Sequence, residues 1–160
     1  MTDWRAVPKI ELHLHLEGAA PPELIRQLAA EAGQPLDRVF DANGRYRWTD
    51  FTGFLEHYIA ACDVLRRPEH FARITTAVLE AQRAEGVVYT EIFVCPAICG
   101  GHDAGAWAEH LAAIGEAAAA VEGIEMRVIA QAIRDLGPGR AETAARLAAA
   151  GPADLVVGFG

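Results

Sequence analysis

No apolar run in this 160-residue chain approaches the roughly 18 residues that a membrane-spanning helix needs. The opening, Met1-Thr2-Asp3-Trp4-Arg5, has neither the basic flank nor the apolar core of a secretory signal. A cytoplasmic location is therefore expected, with no membrane partner. Cysteine is scarce: Cys62, Cys95 and Cys99 are an odd number, which suits reduced thiols better than a disulfide framework. Positive charge is scarce too. The chain carries 14 Lys and Arg against 22 Asp and Glu, a formal net charge of -8, which disfavours binding to phosphate backbones and so argues against nucleic acid as a partner. No repeat, charge block or low-complexity linker divides the chain, and one domain over residues 1–160 is expected.

What the chain does have is an apolar fraction of 52% with 22% charged residues, enough to bury one core. After Pro8, the stretch Ile10 to Leu16 alternates in the manner of a half-buried strand, with Ile10, Leu12, Leu14 and Leu16 on one face and Glu11, His13, His15 and Glu17 on the other. Pro21-Pro22 opens a helix whose stripe is Leu24, Ile25, Leu28 and Ala29, and Gly33 stops it. Asn43-Gly44 marks a turn. A helix from Asp50 to about Leu65 places Phe51, Phe54, Leu55, Tyr58, Cys62 and Leu65 on one face, and Pro68 starts another that ends at Gly86.

Val87 to Val94 is rich in branched and aromatic residues and reads as a buried strand. The order then repeats: a helix near Ala104 to Val121, a strand from Glu125 to Ala132, a helix from Gly139 to Ala150 and a strand from Asp154 onward. Alternating strands and helices predict an α/β fold with a parallel sheet of about four strands. Propensity alone leaves a (β/α)8 barrel and an open doubly wound sheet equally compatible.

Two histidines at i and i+2 on a strand project to one side, within reach of one metal ion at Zn–N distances of about 2.0 to 2.1 Å. Alone, His13-Leu14-His15 is a weak signal among six histidines. Its position closing the first strand, followed by Glu17-Gly18-Ala19 and a proline-started helix, strengthens it, because parallel α/β folds carry their chemistry at the carboxyl ends of strands. His57, His70, His102 and His110 lack partner spacing and are expected to be solvated or locally hydrogen-bonded, with His57 and His110 beside the apolar stripes. Glu11 and Glu91 are expected to pair with a lysine or arginine inside the fold. Cys95-Pro96-Ala97-Ile98-Cys99 with His15-Leu16-Glu17 echoes the cytidine-deaminase signature, but the proline follows the first cysteine and three residues separate the thiols.

Pro8-Lys9-Ile10-Glu11-Leu12-His13-Leu14-His15-Leu16-Glu17-Gly18-Ala19 resembles the opening signature of the adenosine and adenine deaminases of the amidohydrolase superfamily. Three further stretches agree in order: Phe51-Thr52-Gly53-Phe54-Leu55, Glu85-Gly86-Val87-Val88-Tyr89-Thr90-Glu91, and Val156-Val157-Gly158-Phe159-Gly160, the last resembling the approach to the family's Gly-Asp-Glu loop.

The resemblance implies the amino-terminal half of a metal-dependent (β/α)8 barrel, truncated at its carboxyl end. It implies one Zn2+ per complete site, with His13 and His15 as ligands. His15, Glu17, Phe54, Leu55 and Tyr58 are implied to contact a small-molecule purine nucleoside or base. The implied reaction is hydrolytic deamination, adenosine or deoxyadenosine giving inosine or deoxyinosine plus ammonia in purine salvage. Glu17 stands where adenosine deaminases usually carry aspartate and where adenine deaminases also carry glutamate, so the alternative substrate is the free base adenine. The catalytic glutamate and the remaining metal ligands belong to later strands in the family. No catalytic residue is expected within these 160 residues, and a non-catalytic truncated remnant is the further alternative.

Overall fold

The computed structural model describes residues 3–36 and 38–160. Four parallel strands, β1 (Lys9–His15), β2 (Val87–Val94), β3 (Glu125–Ala130) and β4 (Val156–Phe159), form one sheet in the spatial order β1-β2-β3-β4. The helices between them are α1 (Leu16–Ala19), α2 (Pro22–Glu31), α3 (Phe51–Cys62), α4 (Pro68–Ala84), α5 (Ala104–Ala119) and α6 (Pro138–Ala150). A doubly wound sheet reverses its strand order at a switch point. Here spatial order follows chain order without reversal, which removes the ambiguity left by the sequence and gives barrel-type topology.

Burial tells the same story. Along β2, Thr90, Ile92 and Val94 are fully buried, whereas the alternate Tyr89, Glu91 and Phe93 are only partly covered. On β3, Met126, Val128 and Ala130 are buried and Arg127 and Ile129 are half-buried. One face therefore carries the core, packed under Phe71, Ile74, Val78 and Leu79 of α4 and Trp107, Leu111 and Ile114 of α5. The other face is the concave one.

Local chemistry sets the helix boundaries. The carboxylates of Asp50 and Asp103 cap α3 and α5 by accepting the N–H groups of Gly53 and Ala106, each at 2.8 Å. Prolines occupy the first turns of α2, α4 and α6, where a missing N–H costs nothing. Gly86 turns α4 into β2 with φ +84°, and a Cβ there would meet the Arg5 carbonyl oxygen at 2.1 Å.

Several details differ from the sequence reading. β1 is not one uninterrupted alternation: between Glu11, paired with Thr90, and Leu14, paired with Ile92, it holds one residue more than β2. Ile10, paired with Tyr89, therefore lies on the concave face and not beside Leu14, and Ile10 and Leu12 are exposed. Leu16 and Glu17 leave the strand for α1. His110 is buried, not peripheral: it lies edge-on to Phe71 at 5.0 Å with Nδ1 2.7 Å from the Ala106 carbonyl oxygen. His70 is buried against the Val64 carbonyl and Arg67, the local bonding expected of it. Neither Glu11 nor Glu91 forms an ion pair among the described residues; Glu11 accepts a backbone N–H and Glu91 accepts the Tyr89 hydroxyl at 2.8 Å. The three cysteines are free and buried. No helix among the described residues is long and apolar enough to cross a membrane.

Ile92 is the best single test of this layering, since its side chain is wholly buried at the centre of the sheet. Ile92→Ala is expected to lower unfolding stability by about 2–5 kcal/mol in urea titration, whereas Val88→Thr, on an exposed position of the same strand, changes it by about 0.5 kcal/mol or less.

Candidate active site

The extra residue in β1 positions the first part of the site. The Glu11 carboxylate accepts the His13 N–H at 3.0 Å, closing the local loop in the strand from its own side chain. The result is that His13 and His15 both turn to the concave side, their ring centroids 5.6 Å apart. Phe93, the register partner of His15 on β2, backs both rings at 4.7 and 5.1 Å. Burial is the main reason the His15 imidazole is held below its ordinary pKa; the neighbouring His13 adds to the effect and the Gln131 side chain partly offsets it. A neutral imidazole is the form that ligates metals.

α1 follows immediately and buries Glu17 to 2% exposure. One carboxyl oxygen, Oε1, accepts the Cys95 N–H at a long 3.4 Å, while Oε2 has no partner among the described residues. Loss of water around the charged form raises the Glu17 pKa to about 7, and the backbone N–H groups of Glu17 and Cys95 only partly offset this. Burial likewise pushes Cys62 up to about 12 and Tyr58 higher still, with the Glu17 charge adding to both. Gly18 brings the turn against α3: a Cβ there would meet Tyr58 Cε2 at 3.2 Å.

These elements enclose a cleft of about 440 Å³ at the carboxyl ends of β1 and β3. All the residues singled out from the sequence line it: His13, His15, Glu17, Phe54, Leu55 and Tyr58. Phe51, expected on the same helix face, is 72% exposed and does not line it. Among the other lining residues, four with aromatic or polar side chains escaped the sequence reading. Tyr46 and Trp48 arise from a stretch read only as polar and turn-forming, yet Trp48 meets Phe54 edge-on at 5.4 Å and extends the aromatic wall. His57 lines the cleft, its Nδ1 buried and without a partner among the described residues, which corrects its placement beside the stripe. Its spacing from Phe54, Tyr58 and Ala61 was the available signal. Gln131 follows β3 directly, two residues beyond the concave-facing Ile129.

The two imidazoles fit a metal site as nitrogen donors, but no group of three or more His, Cys, Asp or Glu stands together among the described residues. The chain thus offers two donors where a catalytic zinc takes about three from protein.

Known proteins agree with this geometry. An adenine deaminase from Chelativorans sp. (strain BNC1) is 39% identical over 154 residues, spanning 95% of this chain and 47% of its own length. The crystal structure of an adenine deaminase from Arthrobacter aurescens is 33% identical and superposes with a TM-score of 0.70 over 88% of this chain and 44% of that one. The crystal structure of an amidohydrolase from Burkholderia ambifaria, with bound Zn, is 25% identical with a TM-score of 0.77, over 100% of this chain and 46% of that one. The chain therefore spans about half the length of the relatives it matches, and its sheet and helices correspond to the amino-terminal half of amidohydrolase TIM barrels. The adenosine deaminase family model matches residues 8–160, and the chain belongs to that family.

Proposed function

We propose that residues 1–160 form the amino-terminal portion of a single barrel domain and supply half of the active site of an adenine deaminase, which converts adenine and water to hypoxanthine and ammonia. The observation that carries this reading is the cleft itself, in which two imidazoles and a buried Glu17 face an aromatic wall. Curated relatives at up to 39% identity and a solved structure at 33% are named adenine deaminases, which favours the free base over the adenosine and deoxyadenosine expected first. Glu17 favours it too. A glutamate reaches one methylene further than an aspartate, and buried at the cleft wall it fills space that a sugar would need.

In this reading His13 and His15 would hold Zn2+, which would supply Lewis acidity for the activation of water. Phe93 fixes both imidazoles from behind. Trp48, Phe54 and Tyr58 exclude water and give a planar heterocycle a face to pack against. Glu17, whose pKa burial raises, can accept an N–H of the base or, when protonated, donate to a ring nitrogen. The remaining metal donors and the proton-shuttling carboxyl come, in the resemblance, from later strands than these four.

Ammonia release by the full-length protein on adenine and adenosine at equal concentration tests the substrate. Adenine is expected to be the faster by at least about 10-fold in kcat/KM, a difference of 1.4 kcal/mol in transition-state binding, and equal or reversed rates would sink the reading.

Metal analysis tests the ligands. Changes to groups that merely support a ligand cost about 10–100-fold in affinity, so His13→Ala is expected to weaken zinc binding by more than about 10-fold against a competing chelator.

The pH dependence of stability tests Glu17. Its folded pKa, about 7, lies above the ordinary 4.5, so the carboxyl's contribution is complete below about pH 4.5 and is lost as pH rises through 7. In metal-free protein Glu17→Gln is expected to remove that decline, read as urea-unfolding stability at successive pH values. Parallel curves for the two proteins would contradict an unpaired, buried carboxyl.

A further inference from the structure

Gly160 follows β4 directly, and its backbone is pinned to the end of β3 through both of its polar groups. Its N–H donates to the Ala130 carbonyl at 3.0 Å, and its carbonyl accepts the Ala132 N–H at 2.7 Å. Glycine is required where the backbone takes a left-handed conformation, but Gly160 is not among the glycines with positive φ. Its backbone would admit a side chain; the space beside it does not. A Cβ there would lie 3.0 Å from Cε1 of Phe93 and 3.8 Å from both Cζ of Phe93 and Cγ2 of Ile129.

The ring that closes this space is the one that meets both imidazoles. Its centroid is 4.7 Å from that of His13, the planes inclined by 30°, and 5.1 Å from that of His15, inclined by 21°. Phe93 is the register partner of His15 on β1 and of Ile129 on β3, so neighbours bound it across both pairings. Gly160 cannot retreat without losing two backbone hydrogen bonds. An added methyl group would therefore displace the Phe93 ring, and close-packed groups pass such a shift on to what they touch. We infer that Gly160 is a positioning residue for the metal pair: by carrying no Cβ it seats the Phe93 ring, which in turn fixes His13 and His15. The inference rests on the reading of these histidines as zinc ligands. It ties the end of β4 to a pair built on β1 through one aromatic ring on β2.

The test is a double-mutant cycle in the full-length protein with Gly160→Ala, Phe93→Ala and the two combined. Zinc affinity is read by competition with a chelator, ligand geometry by the visible absorption of the cobalt-substituted protein, and folding by thermal unfolding of the metal-free form. Gly160→Ala is expected to weaken zinc binding by about 5-fold or more and to shift the cobalt bands, and Phe93→Ala to weaken it by about 10-fold. Once the ring is gone the methyl group has room, so in the Phe93→Ala background Gly160→Ala is expected to change zinc affinity by less than about 2-fold. Zinc affinity unchanged in Gly160→Ala, or lowered equally in both backgrounds, overturns the inference and leaves the ligand reading intact. So does a Gly160→Ala protein that fails to fold and is not restored by the Phe93 substitution. If Phe93→Ala does not fold, Phe93→Leu, which has no atom equivalent to Cε1, takes its place on the same criteria. A wild-type protein that binds no zinc, or binds it equally well after His13→Ala, overturns the ligand reading and this inference with it.

Discussion

The parallel pairing of β1 with β2 is the constraint on which the site depends. It sets His15 opposite Phe93 and Leu14 opposite Ile92, so one strand sends an imidazole to the concave side and a leucine to the core within two residues. The extra residue upstream shifts the register, and the Glu11 carboxylate fulfils the N–H of His13 that this irregularity frees from the ladder. A carboxylate in a strand therefore does a backbone partner's work. The ring of Phe93 then restricts both imidazoles at once, and two donors on a single strand become a fixed pair, not two independent rotors.

The second constraint is desolvation. α1 is only four residues long, and it drives Leu16 and Glu17 into the interior directly after the pair. Leu16 joins the core, as an apolar residue should; Glu17 has no cation to meet it among the described residues. A carboxyl in that position is destabilising in its charged form, and residues of this kind recur where structure is subordinated to ligand recognition. The raised pKa of Glu17 and the unpartnered Oε2 are two expressions of the same lack of water.

Much of this was legible in the chain. Periodicity located all four strands and the five longer helices to within a few residues, because proline starts, aspartate caps and glycine stops lie at nearly every boundary. Strand order was not legible, since pairing partners are set by crossover geometry and not by local propensity. The irregularity in β1 escaped for a similar reason: Glu11 to His15 alternates perfectly as letters, and only the spacing of partners on β2 reveals the additional residue. Phe51 shows the limit of helical spacing, which identifies a stripe without saying where it ends; the turn of α3 nearest its amino terminus projects beyond the cleft. Tyr46 and Trp48 were hidden because a short antiparallel bridge between Phe40 and Tyr46 folds an otherwise polar segment back over the site.

The chemistry of the proposed substrate gives the buried carboxyl a purpose. A free purine base carries in its five-membered ring one N–H and one bare nitrogen, with the proton able to reside on either, whereas a nucleoside has that choice removed by its sugar. A carboxylate can only accept, whereas a carboxylic acid has an O–H to donate and a carbonyl oxygen that still accepts. Burial, which raises the Glu17 pKa, favours the acid form, the one that offers both an O–H and an acceptor oxygen. In the proposed reading, the burial that would leave no room for a sugar also favours the carboxyl form suited to the atoms a missing sugar leaves bare, which ties the apolar packing of α1 and α3 to the choice between base and nucleoside.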